Sequence, residues 1–280
     1  GLDITEARLP SRRKPSFPLW KITFPYWRIL DADGTADIAE EVARMYGYHK
    51  IPGVLPQGDL PDEAPNLQFA SEYALKEVLR GAGFTELYSY SLVSSDDISR
   101  AGFNPEPDAL ALANPLTLEM TRMRPWLGIS LLKAVADNEK ERDVLRLFEL
   151  SAEYHPKISG GPASDGPEAG PRRIDLPDER QKLIVVAAGR EERDGEHFYA
   201  IKGAAEHLAE RLALPNFGYE KVGTTKAPWV AHYHPSRVLI AKSGRDILGV
   251  VGELHPTLLR AFGIEHRVAF LEWEMKALLP

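Results

Sequence analysis

LRLFELSAEYH, residues 145–155, is the stretch on which the fold turns. Its side chains alternate strongly, and a pleated strand sends successive side chains to opposite faces, so this length of alternation predicts a long strand of an antiparallel sheet. Working outward, KLIVVAAG (182–189) and VAFLEWEM (268–275) read as further strands. In the last of these, Phe270, Glu272 and Glu274 need different sides from their neighbours. RVLIAKSGRDILGVVGEL (237–254) reads as a hairpin turning at Ser243 and Gly244. Helices fall between the strands. YAIKGAAEHLAERLAL (199–214) places Ile201, Ala205, Leu208 and Leu212 on one side, and 67–80, 129–136 and 255–264 follow the same period. FTELYSYSLV (84–93) and LALANP (110–115) are expected as strands, and SSDD before Ile98 as a helix start. Long strands with intervening helices make the class α+β.

Toward the N-terminus, WKITFPYWR (20–28) suggests a short strand stopped near Pro25, followed by an amphipathic helix over 35–46 with Ile38, Val42 and Met45 on one face. Gly47 can end it. The predicted organisation is a small, partial α+β module over 1–52, a proline-rich acidic linker over 53–66, and a larger module over 67–280. HPKISGGPASDGPEAGPRR, from His155, is a Gly/Pro-rich loop.

Composition narrows function. The 280 residues hold 44% hydrophobic and 27% charged side chains, enough for a sizeable core. The absence of cysteine removes disulfides, thiolate metal sites and cysteine nucleophiles from this stretch. A formal charge of -7 disfavours a chain devoted to gripping a phosphate backbone. There is no run of about eighteen apolar residues and no signal-peptide core, so cytoplasm is the expected compartment.

Three constellations could carry chemistry. Asp31, Asp37, Glu40 and Glu41 offer oxygen ligands suited to Mg²⁺, the last three on one helix side; a solvated acidic helix start is the competing reading. Asp33 is a substitute for Asp31. His232, His234 and His255, with Glu253, could form a zinc site if their strands adjoin; ordinary hydrogen-bonding histidines compete. Arg122 and Arg124 could grip phosphate, or else cover the start of the next helix or pair across an interface. Ser130, Asp137 and His155 make a triad only on paper, and no Walker, dinucleotide or nucleophile-elbow motif is present. Trp20, Phe24, Tyr26, Trp27, Tyr46 and Tyr48 suit a small core or a protein interface.

At these residues the chain resembles the beta subunit of phenylalanine–tRNA ligases. WR…DIAEEVARMYGYHKIP (27–52) is similar to the family's PSWR…DLIEEVARIYGYDNIP. The resemblance continues through GFTELYSYSL (83–92), NPLTLEMTRMRPWLGISLLKAVADN (114–138), LRLFEL (145–150), FYAIKGAAEHL (198–208), HYHPSR (232–237) and GVVGELHP (249–256). It implies a class II aminoacyl-tRNA synthetase-like sheet flanked by helices that has lost catalysis and packs on the catalytic alpha subunit in an α₂β₂ assembly. A catalytic relative would carry an ATP-binding arginine after LRLFE and a later G-x-G-x-x-R. This chain has SAEYHPK and no such later motif, so no catalytic residue is expected. The resemblance also maps a magnesium site shared with the alpha subunit onto Asp31, Asp37, Glu40 and Glu41; Asp31 fits only with a shift, because Leu30 stands two places after Arg28. ATP and tRNA(Phe) would be handled by the holoenzyme. The family's editing, tRNA-contacting and anticodon-binding domains are not expected in this chain. A self-contained amino-acid-activating enzyme and a tRNA-binding module are the rival expectations.

Overall fold

The computed structural model describes residues 3–7, 19–28, 30–31, 34–55, 58, 64, 66–156, 177–190, 193–223 and 228–278. The chain divides into two compact units, Gly1–Glu63 and Ala64–Pro280.

In the first unit β1 (Asp3–Ala7) pairs antiparallel with β2 (Leu19–Thr23), Ile4 facing Ile22. The helix α1 (Thr35–Tyr46) starts where Asp37 accepts the Gly34 N–H at 2.8 Å and stops at Gly47. Gly47 has φ 101°, a conformation only glycine adopts without cost, and its N–H closes on the Ala43 carbonyl at 2.8 Å. The expected apolar face does form by spacing, but it is not covered: Val42 and Met45 are 61% and 82% exposed, and none of α1 is buried. One helix and a two-stranded ribbon have too little apolar surface to bury each other.

The second unit begins with α2 (Leu67–Gly81), capped by the Asn66 side chain on the N–H groups of Gln68 and Phe69. Then come β3 (Thr85–Glu86), β4 (Leu92–Val93), α3 (Ser95–Arg100), α4 (Pro105–Asp108), β5 (Arg122–Met123) and α5 (Gly128–Asn138). The long strand is β6 (Val144–His155), followed by β7 (Asp178–Gly189), α6 (Glu196–Arg211), β8 (Phe217–Lys221), β9 (Tyr233–Ser243), β10 (Asp246–Leu254), α7 (Pro256–Ala261) and β11 (Arg267–Glu274). Seven strands form one sheet in the order β3-β6-β7-β11-β10-β9-β8, antiparallel throughout except for β3 beside β6. The small pair β4–β5 stands apart.

Two expected strands are corrected. FTELYSYSLV is not continuous: between β3 and β4 the chain leaves the ladder, and the Glu149 carboxylate takes the Ser89 N–H at 3.2 Å. LALANP makes no strand but a single bridge, Ala111 to Arg122.

The pleat of the sheet sorts the core into two layers. On β7, Ile184, Val186 and Ala188 face one layer with α5 residues Ile129, Leu132 and Val135 and α7 residues Leu258 and Leu259. Leu183, Val185 and Ala187 face the other, against Leu75 and Leu79 of α2 and Ile201, Ala205 and Leu208 of α6. This is why the central strands read as nearly continuous apolar runs. Gly249 on β10 has φ 154°, and a Cβ there would lie 1.8 Å from the Glu272 carbonyl oxygen of β11. Gly249→Ala is therefore expected to destabilise the chain by about 3 kcal/mol, from backbone strain plus overpacking. A urea melt checks this; an unchanged midpoint would contradict the close approach of β10 and β11.

Candidate functional site

The inward register of β6 toward the α5 layer runs Leu145, Leu147, Glu149, Ser151 and Glu153. Apolar positions thus give way to polar ones along one face of one strand. Glu149 is 2% exposed and cannot stay charged there without partners. Ser89 Oγ donates to it at 2.7 and 2.9 Å, and the Arg124 Nη1 lies 3.5 Å away. Arg124 is fully buried. Its Nε donates to the Ala152 carbonyl at 3.0 Å, Nη1 to Ser89 Oγ, Ser130 Oγ and the Tyr90 carbonyl at 2.7, 3.2 and 3.3 Å, and Nη2 to Ser151 Oγ at 2.5 Å. Burial pulls its pKa down, and Glu149 opposes that. The result is a guanidinium whose donors tie β6, α5 and the 89–90 segment together.

Farther along the same face, Glu272 of β11 accepts from Trp126 Nε1 at 3.0 Å and from the Tyr233 hydroxyl at 3.2 Å, with Lys182 Nζ 3.5 Å away. Burial raises the Glu272 pKa and Glu153 adds to it, while Lys182 and the two donors pull the other way. Glu153 itself takes the Leu127 N–H at 2.9 Å. The 124–127 segment is thereby pinned across this sheet face by its own chain.

Arg122 is equally committed. It donates to Ser95 Oγ at 3.0 Å, to the Pro105 and Ala109 carbonyls at 2.7 and 3.2 Å, and to Glu106 at 2.7 Å. Of the readings of these arginines, the one within the chain fits these bonds: both fasten the segment that leads into α5. The histidines have separate tasks. His232 is buried, stacks on Trp126 with ring centroids 4.3 Å apart, and meets the Ala101 carbonyl at 3.0 Å. His234 Nδ1 accepts the Ser236 N–H, His255 caps α7 through the Thr257 N–H at 3.2 Å, and Arg237 holds Glu253 at 2.8 Å. Ser130 is taken by Arg124, and Asp137 lies two turns away along α5.

Burial lowers the His232 pKa, so the folded state holds this ring neutral. A folded pKa below the unfolded value of about 6.5 means that stability is complete above that pH and declines as the pH falls through it. His232→Phe keeps an aromatic partner for Trp126 and removes the titration. The stability lost between pH 7 and pH 5.5 is expected to be smaller in the variant than in the parent; parallel Tm-versus-pH curves would contradict this.

The four acids of the first unit lie close in sequence but have other engagements. Arg28 donates to Asp31 at 3.1 and 3.2 Å and to Glu41 at 2.7 Å, Arg44 donates to Glu41 at 2.7 Å, and Asp37 caps α1. The two arginines hold the Glu41 carboxyl below the ordinary carboxylate range. Glu40 is exposed on α1, and Asp33 falls outside the described residues. Among the described residues no three His, Cys, Asp or Glu side chains converge on a metal position. As they stand, these carboxylates do not fit a Mg²⁺ cage.

A different surface stands out on α2. Leu75 and Leu79 face the core, whereas Phe69 and Tyr73 are 67% and 65% exposed. Positions 69, 73 and 76 share one helix side. Lys76 continues that side into Tyr88, bonding its hydroxyl at 3.2 Å and lying over its ring, and it pairs with Glu86 at 2.7 Å. Tyr88 and Tyr90 are themselves largely exposed. Phe69 and Tyr73 stand out of phase with Leu75 and Leu79 along α2, the signal in the sequence of a second, uncovered apolar side.

No described helix is long and apolar enough to cross a membrane. Residues 51–275 match the model of the phenylalanyl tRNA synthetase beta chain CLM domain. The phenylalanine–tRNA ligase beta subunit of Fusobacterium nucleatum is 30% identical over 258 residues, covering 89% of this chain and 30% of that one. Those of Geobacter metallireducens and Moorella thermoacetica are 31% and 32% identical, covering 93% and 91% of this chain and 31% of each relative. The chain thus spans about 30% of the length of the curated relatives it matches. Among solved structures, a pyrrolysyl tRNA synthetase of Desulfitobacterium hafniense superposes with a TM-score of 0.57 at 16% identity, over 76% of this chain and 68% of that one, which establishes a shared synthetase-type fold. The chain belongs to the phenylalanyl tRNA synthetase beta chain CLM domain family.

Proposed function

We propose that this chain is a non-catalytic packing element of a phenylalanine–tRNA ligase. In this reading it holds the catalytic alpha subunit in an α₂β₂ assembly, and ATP and tRNA(Phe) are bound by the holoenzyme rather than productively by this chain. The observation that carries the reading is the commitment of Arg122 and Arg124. Charge developing on a reacting phosphate must be met by donors already in place and free to respond. Here the buried guanidinium of Arg124 is spent on five protein oxygens. The exposed face of α2, with Tyr88 beside it, supports a protein partner, because aromatic side chains supply large contact area at interfaces. The same reading assigns Asp31, Asp37, Glu40 and Glu41 to a Mg²⁺ shared with the alpha subunit. Arg28 bridges two of these carboxylates and must withdraw before an ion enters.

The test is co-expression with the cognate catalytic subunit, paired with phenylalanine-dependent pyrophosphate–ATP exchange. The expected result is a co-purifying complex and no exchange by this chain alone. Exchange catalysed by the purified chain would overturn the proposal in favour of a self-contained activating enzyme.

A further inference from the structure

Residues 113–119 form a loop in which every residue is exposed, and Leu116 and Leu118 are 96% and 88% exposed. Single exposed leucines are ordinary, but a pair at one loop tip is an apolar patch left in water. The loop is firmly rooted. Its arms run antiparallel, with the Leu112 N–H on the Thr121 carbonyl at 3.0 Å and the Met123 N–H on the Leu110 carbonyl at 2.9 Å. Arg122 and Met123 pair in turn with Val93 and Leu92 of β4. The Arg122 side chain ties the same arm to the Pro105 and Ala109 carbonyls. At the tip, the Met120 N–H closes on the Thr117 carbonyl at 3.3 Å. A loop held this way has little conformational freedom left to lose when its leucines meet a partner.

The two leucines belong to a larger pattern. Among the described residues of the second unit, every exposed large apolar side chain except Val144, Tyr199 and Ile247 lies on α2, on residues 88–90 or on this loop. These three elements follow one another around one border of the sheet. On that side β3 is the outermost strand, and α2 packs on the core layer that holds Phe84. Val93 belongs to the opposite layer and Leu87 packs on it. Residues 84–93 therefore cross the sheet edge, from the α2 side to the strand that pairs with the second arm of the loop. Scattered exposure carries no signal, whereas apolar exposure gathered along one border marks a contact surface.

We propose that Leu116 and Leu118 are a second anchor for the catalytic subunit, entering an apolar depression on it as a pair. This anchor rests on the packing role proposed above and adds a contact beyond α2. The loop continues the border that α2 and Tyr88 open, which is why the same partner is assigned to it. Its chemistry suits an apolar protein surface: Glu119 is the one charged residue in 113–119, so a phosphate backbone would find no cation there.

The test titrates the purified chain into the cognate catalytic subunit by calorimetry. The double variant Leu116→Ala with Leu118→Ala is expected to bind about a hundredfold more weakly than the parent. Its melting temperature is expected to match the parent's, because both side chains are almost wholly exposed. Ile247→Ala, on β10 and 60% exposed, is expected to bind as the parent does. Parental affinity in the leucine variant overturns the second anchor and leaves the packing role standing. Equal weakening by Ile247→Ala also overturns it, as does a lowered melting temperature of the leucine variant, which would mean that the leucines pack within their own chain. Absence of any complex with the parent chain overturns the anchor and the packing role together.

Discussion

Arg124→Met is expected to cost about 4 kcal/mol of folding stability, within the range seen when one partner of a buried ion pair is removed. The substitution leaves Glu149, 2% exposed, with only Ser89 against its charge. It also strips acceptors on three separate segments: the Ala152 carbonyl, the Ser130 hydroxyl and the Tyr90 carbonyl. Methionine roughly fills the aliphatic volume, so lost packing contributes little. Urea unfolding followed by tryptophan fluorescence measures the effect. The double variant Arg124→Met with Glu149→Gln is expected to be more stable than Arg124→Met alone, because the stranded charge is gone. A loss below about 1 kcal/mol in the single variant would mean that this arginine is not a structural tie. The reading of the sheet face as filled and fastened would then fail with it.

Phe69→Asp combined with Tyr73→Asp is expected to abolish association with the catalytic subunit while barely changing the stability of the chain. Both side chains are about two-thirds exposed, and surface changes of this kind usually stay within about 0.5 kcal/mol. At an interface the same residues would be central aromatic contacts. Two losses of about 2 kcal/mol each give a fall of roughly a thousandfold in affinity. Sedimentation or copurification of the variant with the catalytic subunit measures the first expectation, and a thermal melt of the variant alone measures the second. A variant that unfolds would show instead that α2 relies on these rings for its own packing. Undiminished binding would place the interface elsewhere.

The architecture was legible where the period was long and unambiguous. Residues 145–155 announced β6, and helix spacing located α1, α2 and α6 within about one turn. The Ser243–Gly244 hairpin was equally plain, since φ 59° at Gly244 suits the turn between β9 and β10. Reading failed where a tertiary bond overruled local alternation. Residues 84–93 alternate well enough for one strand, yet the Glu149 carboxylate captures Ser89 and bends the chain away. No local pattern in 84–93 could reveal an acceptor sixty residues later.

The polar face was half legible. Glu149 and Glu153 stand at inward positions of an apolar strand, a sign that partners exist, but their identities come from the fold. Arg124 was noticed as a possible phosphate ligand because sequence shows charge and not occupancy. The histidines illustrate the same limit: His232, His234 and His255 are near in chain and fold, but each is held by a different local bond. For the acids of the first unit, spacing correctly put Asp37, Glu40 and Glu41 on α1, while the intervening arginines decided what those charges meet.

Hydrogen–deuterium exchange of this chain with and without its catalytic subunit tests the proposed packing role most directly. The predicted result is slowed exchange along α2 and through residues 84–90, because an interface there would exclude water from Phe69, Tyr73 and Tyr88. Unaltered exchange in those segments, with a complex demonstrably formed, would contradict the assignment of this face to the partner.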